Sequence, residues 1–500
     1  MPADSLTTPP GTTSSGTTPA LDTAPDPRRW LALAVIAVAQ LMIVLDVSVV
    51  NIALPDAGND LGISAANIQW VVTAYTLAFG GLLLLGGRIA DFIGRKRAFL
   101  IGLAGFAGAS ALGGIAPNQE LLFAARGLQG AFAALLAPAA LSLLAVTFTD
   151  AKERARAFGV FGAISGGGAA IGLILGGVLT EYASWRWTLG INVPIAAVTM
   201  AFAVVLVTES RATGDRRYDV PGVLLSALGL VSLVYGFSKA AEEGVGWSDP
   251  VTLGLLAAAA VLLVSFVLYE RRASHPLLPL RVVLDRNRGG SYLVFLLVGA
   301  GIFAIFLFLT FYFQQTLGYS PLESGFAFLP FSGGIIIGAG IVSQLLPRVG
   351  PRPLIVAGLG LAVLGMLWLT QIESTSAYVT EVLPAEIAIS FGLAAVFVPA
   401  SSTALVGVAE HDAGIASAVL NTSQQVGGSL GLALLSTFYA SAVTGHLADN
   451  PGEAPGEAFV QGYHVAFLWG AVFLAVALVI AAVSISAKKD DLPAEPAMAG

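Results

Sequence analysis

Fourteen apolar stretches, each about long enough to cross a bilayer as a helix, leave this chain few folds to choose from. They fall near 30–54, 68–87, 98–116, 121–148, 155–179, 188–207, 221–239, 250–268, 290–313, 325–346, 353–370, 382–405, 414–440 and 464–486. In lipid every backbone amide must be satisfied, so such runs predict transmembrane helices; a barrel would show short alternating segments instead. Of the 500 residues, 56% are hydrophobic and 11% charged. The expected fold class is therefore an all-α polytopic membrane protein whose first partner is the lipid bilayer. No cysteine is present, which excludes disulfides and cysteine-ligated metal or iron–sulfur centres.

Lys and Arg orient the spans. With the N-terminus in the cytoplasm and loops assigned alternately, every Lys and Arg except Arg126, Arg186 and Lys239 falls inside. Both termini are then cytoplasmic. Arg28 and Arg29 precede a span with no small-residue cleavage site, so a cleaved signal is not expected. Residues 1–29, rich in Thr, Ser, Pro and Gly, read as a disordered cytoplasmic tail. A six-helix bundle is expected over 30–208, a linker carrying two extra spans over 209–289, a second bundle over 290–487, and a cytoplasmic tail over 488–500.

The bundles read as copies of one unit. GRIADFIGRKRAFLIG (87–102) aligns with SQLLPRVGPRPLIVAG (343–358), matching Gly94 to Gly350 and Gly102 to Gly358. Pro138-Ala139 and Gly166-Gly167 have counterparts in Pro399-Ala400 and Gly427-Gly428. Repeated halves around a midplane cavity are a transporter architecture.

Charge inside a span is costly and usually functional. The first span, WLALAVIAVAQLMIVLDVSVVNIALP, holds one ionisable residue, Asp46. Counted from Pro55, it lies roughly 13 Å inside the outer face. Arg126 in the fourth span lies roughly 8 Å from that face. An acid and a base at similar depth suggest a pair. A hydrogen-bonded structural acid, and an Arg that snorkels to the surface, are the bland alternatives.

GRIADFIGRKR, between the second and third spans, resembles the signature loop of the major facilitator superfamily, Gly-x-x-x-Asp-x-x-Gly-Arg-(Lys/Arg). The resemblance continues along nearly the whole chain, in LDVSVVNIALP (45–55), RGLQG (126–130), and SWRW followed by INVPI (184–195). Two extra central helices also mark the fourteen-helix drug:proton antiporter branch, the QacA- and EmrB-like multidrug efflux transporters. This resemblance implies a major facilitator fold. It implies that Asp46 and Arg126 couple protons, and that Gly87, Arg88, Asp91, Gly94 and Arg95 form a latch for one conformer. Gly168, Gly172, Gly176 and Gly177 of the fifth span resemble the antiporter motif, with Leu173 where that motif has Pro. Their spacing predicts a smooth packing face.

Candidate cavity residues are Gln40, Tyr75, Gln129, Phe311, Asn421, Gln424 and Gln425, with interhelical hydrogen bonding or plain packing as the alternative. Glu323 and Glu386, near outer helix ends, are expected to be solvated. His275, His411, His446 and His464 lack metal-ligand spacing. No phosphate-binding loop is found, so neither cofactor nor metal is expected, no nucleic acid, and no enzyme activity. The function expected is proton-coupled efflux of a small amphipathic drug or antibiotic by a monomer in a bacterial plasma membrane. A metabolite importer or facilitator on the same fold and a non-transporting membrane sensor are the alternatives.

Overall fold

The computed structural model describes residues 27–64, 67–148, 150–211, 219–240, 245–273, 276, 278, 280–408, 413–452 and 455–491. Most of both expected tails, together with Arg216, Arg217, His275 and His411, lies outside the described residues. Fourteen helices are long and apolar enough to cross a membrane. They are α1 (Arg29–Leu61), α2 (Trp70–Ile93), α3 (Arg95–Gly114), α4 (Gln119–Thr147), α5 (Lys152–Tyr182), α6 (Arg186–Leu206) and α7 (Val220–Ala240). The rest are α8 (Pro250–Glu270), α9 (Arg286–Thr316), α10 (Pro321–Val349), α11 (Pro351–Leu369), α12 (Tyr378–Ala404), α13 (Gly414–Asp449) and α14 (Pro455–Ser484). No strand occurs among the described residues.

Several helices outrun their apolar cores. α1 continues past Pro55 to Leu61, and the expected outer loop 441–463 is mostly the ends of α13 and α14 around a turn at Gly452. Hydropathy marks only the stretch that sits in hydrocarbon, whereas helical hydrogen bonding persists into water.

The repeat is visible in packing. α1 lies on α5, α2 on α4 and α3 on α4; in the second bundle α9 lies on α13, α10 on α12 and α11 on α12. Gly94 (φ 111°) and Gly350 (φ 86°) each start the third helix of their bundle in a conformation that disfavours side chains. Helix contact in lipid depends on close backbone approach rather than on the hydrophobic effect, and the glycines supply it.

The two halves meet on the outer side. Gly177 of α5 lies against the backbone of Pro321 and Leu322 at the start of α10, and Gly325 against the carbonyl of Leu173. The Leu322 amide donates to Glu181 (3.1 Å), and Gln314 donates to the Ile52 carbonyl (2.9 Å). α2 and α13 touch through Thr76 and Ser429 (2.7 Å) and through Thr422, which donates to the Gly80 carbonyl (3.1 Å). At the other end of α5, Glu153 pairs with Arg29 of α1 (2.7 Å) and Ala157 is buried with Leu33 and Leu144, while Gly159, Gly162 and Gly167 have open space where a side chain would sit. These contacts close the outer side between the halves.

The extra pair is not a detached linker. α7 packs on both α2 and α13, bringing Val234 against Leu77 and Ala433. The Trp70 indole donates to Ser238 (2.6 Å), and Thr437 donates to the Phe237 carbonyl (3.2 Å). α7 therefore bridges the seam between the halves.

Candidate functional site

Asp46 sits mid-helix on α1 and Arg126 in the second turn of α4, and the two meet at 2.6 Å. Both are 1% exposed. Arg126 does not snorkel; it is closed in on all sides. Its Nε donates to the Val71 carbonyl of α2 (2.8 Å), Nη1 donates to Gln129 Oε1 (2.9 Å), and the guanidinium lies over the Tyr75 ring at 4.5 Å. The carboxylate is saturated too. Gln129 (2.9 Å) and Asn192 of α6 (2.8 Å) both donate to Oδ1 of Asp46, and Gln129 also donates to Ser110 of α3 (2.6 Å).

This is an ion pair whose every side is hydrogen-bonded, the condition under which burial of two charges is tolerated. Removing one partner from such a pair costs about 3–5 kcal/mol. The network draws on α1, α2, α3, α4 and α6, so it locks the interior of the N-terminal bundle. All its partners belong to that bundle, and both charged side chains are buried there.

Tyr75 and Gln129, expected at a substrate cavity, are instead fully buried partners of Arg126. The reason is helical phase: Gln129 lies three residues beyond Arg126 and shares its face. The other cavity candidates are dispersed. Phe311 lines an outer cavity of about 170 Å³ between the halves, with Pro55, Asn59, Gln315, Ser436 and Tyr439. Asn421 is exposed near the inner end of α13, its amide donating to the Ser417 carbonyl (3.0 Å). Gln424 and Gln425 are half-buried, the latter against Gly80 of α2, and Gln40 is half-buried on α1.

Asn192 and Ser110 belong to the network and were not singled out by sequence. Asn192 stands in the INVPI stretch, an amide in an otherwise apolar run; Ser110 carries no signal at all. Glu386, expected in solvent, is wholly buried on α12. A position near a helix end gives depth but not the direction of the side chain.

In the latch, Asp91 pairs with Arg95 across the Gly94 break (3.0 Å). Glu209, beyond α6, accepts from the amides of Lys96 (3.1 Å) and Arg97 (3.3 Å) and so caps α3. Gly87 packs on Pro138, and Arg88 is exposed. The hydrogen bonds and ion pairs described for this loop all stay within its own half. The glycines of α5 do two jobs: Gly168, Gly172 and Gly176 fit against Val44, Ser48 and Val49 of α1, while Gly177 meets the other half.

Two six-helix repeats closed on one side, with a charged pair at membrane depth, define a secondary transporter of the alternating-access kind. The model for the Major Facilitator Superfamily matches residues 36–432, and the chain belongs to that family. It is 50% identical over 472 residues to the puromycin resistance protein of Streptomyces alboniger, covering 93% of each chain. It is 40% identical to the cephamycin export protein of Amycolatopsis lactamdurans, over 86% of this chain and 88% of that one. The tetracenomycin C resistance and export protein of Streptomyces glaucescens is 34% identical, over 85% and 79%. Among solved structures, the inward-facing, unoccupied bacterial homologue of the human lysosomal transporter Spinster superposes with a TM-score of 0.66 at 15% identity. That match covers 94% of this chain and 99% of the other.

Proposed function

We propose that this protein exports amphipathic antibiotics or related drugs across a bacterial plasma membrane in exchange for protons, as a monomer. The observation that carries the export reading is the likeness, along nearly the full chain, to proteins named for antibiotic resistance and export. An importer or a sensor on this fold has no such support.

Proton coupling rests on Asp46 and Arg126. In this outward-closed conformer the carboxylate has a guanidinium and two amide donors, which suits the state after a proton has left. Protonation would remove the charge that Arg126, Gln129 and Asn192 are arranged to meet. A proton can therefore enter only as these donors let go, which requires α1 to shift against α4 and α6. Because α1 also packs on α5, the helix that closes the outer side, that shift is transmitted to the seam. Proton binding and outward opening are thus linked through α1, and substrate leaves on the side from which the proton arrives. The latch loop, whose Asp91–Arg95 pair lies within one half here, would engage across the halves in the opposite conformer.

The test is puromycin-driven proton movement in proteoliposomes, alongside a susceptibility panel in cells with and without the gene. Resistance with proton exchange is expected for the parent, and loss of both for Asp46→Asn. Unimpaired exchange in Asp46→Asn would remove this acid from the mechanism, and absence of resistance to every drug tested would remove the export reading.

A further inference from the structure

A second buried acid stands in the other half. Glu386 of α12 is 0% exposed, its Oε1 has no hydrogen-bond partner, and its Oε2 lies 3.1 Å from the Tyr378 hydroxyl. No cation lies among its hydrogen-bond or ion-pair partners. That hydroxyl has one hydrogen and a better acceptor, the Ala327 carbonyl at 2.7 Å. With the phenolic hydrogen on Ala327, the 3.1 Å contact with Glu386 is a hydrogen bond only if the carboxyl itself donates. The consistent assignment is a relay: Glu386 O–H to Tyr378, and Tyr378 O–H to Ala327. An ionised Glu386 would instead be a buried charge with one weak partner, a costly arrangement. The contrast with Asp46, which has a guanidinium and two amides, is plain.

The relay ends at the piece of the C-terminal half that closes the outer side. Ala327 terminates the first helical stretch of α10, Pro321–Ala327, whose Pro321, Leu322 and Gly325 form the contact with Leu173 and Gly177 of α5. Tyr378 opens a π-helical turn, Tyr378–Val382, at the outer mouth of α12, a local irregularity often associated with functional sites. Glu386 lies roughly 12 Å along the axis from Tyr378, just over two turns from that mouth.

We propose that Glu386 is a second proton site, separate from the Asp46 pair, which locks the outer closure while it holds its proton. When Glu386 ionises, Tyr378 turns its hydrogen to the carboxylate and frees the Ala327 carbonyl, and the Pro321–Ala327 stretch loosens from α5. Acid outside therefore favours the outward-closed form. Other titratable groups face this region. Tyr312, Tyr319 and Tyr378 each lie against Phe313, Glu323 caps its own helix, and Glu373 and Glu381 lie at the mouth. Glu181 accepts the Leu322 amide across the halves. Protonating Glu181 would weaken closure, so its effect has the opposite sign.

Because the chain has no cysteine, Glu120→Cys and Gln371→Cys place a unique spin-label pair on the outer ends of the two halves. Distances are recorded for the full chain in nanodiscs, without drug, across a pH series. The ratio of open to closed is expected to rise by up to about tenfold per pH unit, the slope for one proton. Glu386→Gln, which keeps the donor but cannot ionise, is expected to lose the rise with pH, leaving only the opposite slope of Glu181 and the Asp46 pair. Tyr378→Phe is expected to raise the open fraction at acid pH about fivefold, the value of one hydrogen bond. Melting curves and gel filtration establish that each variant is folded. A wild-type ratio that does not rise with pH, a rise that survives in Glu386→Gln, or one abolished by Asp46→Asn or Glu181→Gln alone would overturn the proposal. No outcome depends on the transported drug, so the export reading stands or falls separately.

Discussion

Gly177 offers a direct way to disturb one conformer and spare the other. A Cβ added there would lie 2.6 Å from Cα of Leu322, 2.8 Å from the Pro321 carbonyl oxygen and 3.0 Å from the Leu322 nitrogen. All three atoms are backbone, and all belong to the opposite half. Ordinary carbon contacts are about 3.5–4.0 Å, so the methyl group of Gly177→Ala is about an ångström too close. The neighbour cannot yield easily, because Ser320 and Glu323 form a capping box that fixes this turn. Overpacking of this kind costs about 1–3 kcal/mol. The contact exists only while the outer side is closed, so the cost falls on that state alone and shifts the equilibrium toward outward-open by about 5- to 150-fold. The same outer label pair reads the shift, and transport is expected to slow because every cycle must pass through the closed form. Two neighbours serve as controls. Gly172→Ala collides with Ser48 inside the same half, so it should lower stability without moving the equilibrium. Gly167→Ala meets open space and should change nothing. An unchanged ratio in Gly177→Ala, or an equal shift in Gly172→Ala, would refute the assignment of this glycine to the closure.

Further expectations follow from the same geometry. Asn192→Ala removes a hydrogen bond to the Asp46 carboxylate and should lower thermal stability in detergent by about 1.5–3 kcal/mol; a melt indistinguishable from the parent would show that the network tolerates its loss. Gly94→Ala combines an unfavourable φ of 111° with a Cβ 2.6 Å from Glu209 Oε1, so it should displace the cap of α3 and cost about 1–3 kcal/mol, read as a lowered melting temperature. Ser238→Ala removes the acceptor of Trp70 and should weaken the hold of α7 on α2, read as faster protease cleavage in the loop after α7.

Much of the architecture was legible in the chain because lipid makes one demand that dominates all others. Runs of apolar residues must become helices, so the count and order of the spans follow from hydropathy. The pairing of Gly94 with Gly350 was also legible, since only a residue without a side chain suits the backbone at both positions. Even the meeting of Asp46 with Arg126 could be anticipated from their similar depth.

Direction around a helix was not legible. Depth along an axis is set by chain position, but which neighbour a side chain meets depends on how the helices are rotated and packed. Hence Gln129 and Tyr75 turned inward to Arg126 rather than toward a cavity, and Glu386 faced Tyr378 rather than water. Asn192 joined Asp46 from 146 positions away in sequence, a contact no local pattern encodes. The sequence alone determined that this is a polytopic helical membrane protein with two related halves, because hydrophobic length and charge are properties of the chain itself. Only the tertiary structure decided which polar groups share a site and which face of the molecule is closed, because those depend on the mutual rotation of helices that lipid by itself leaves free.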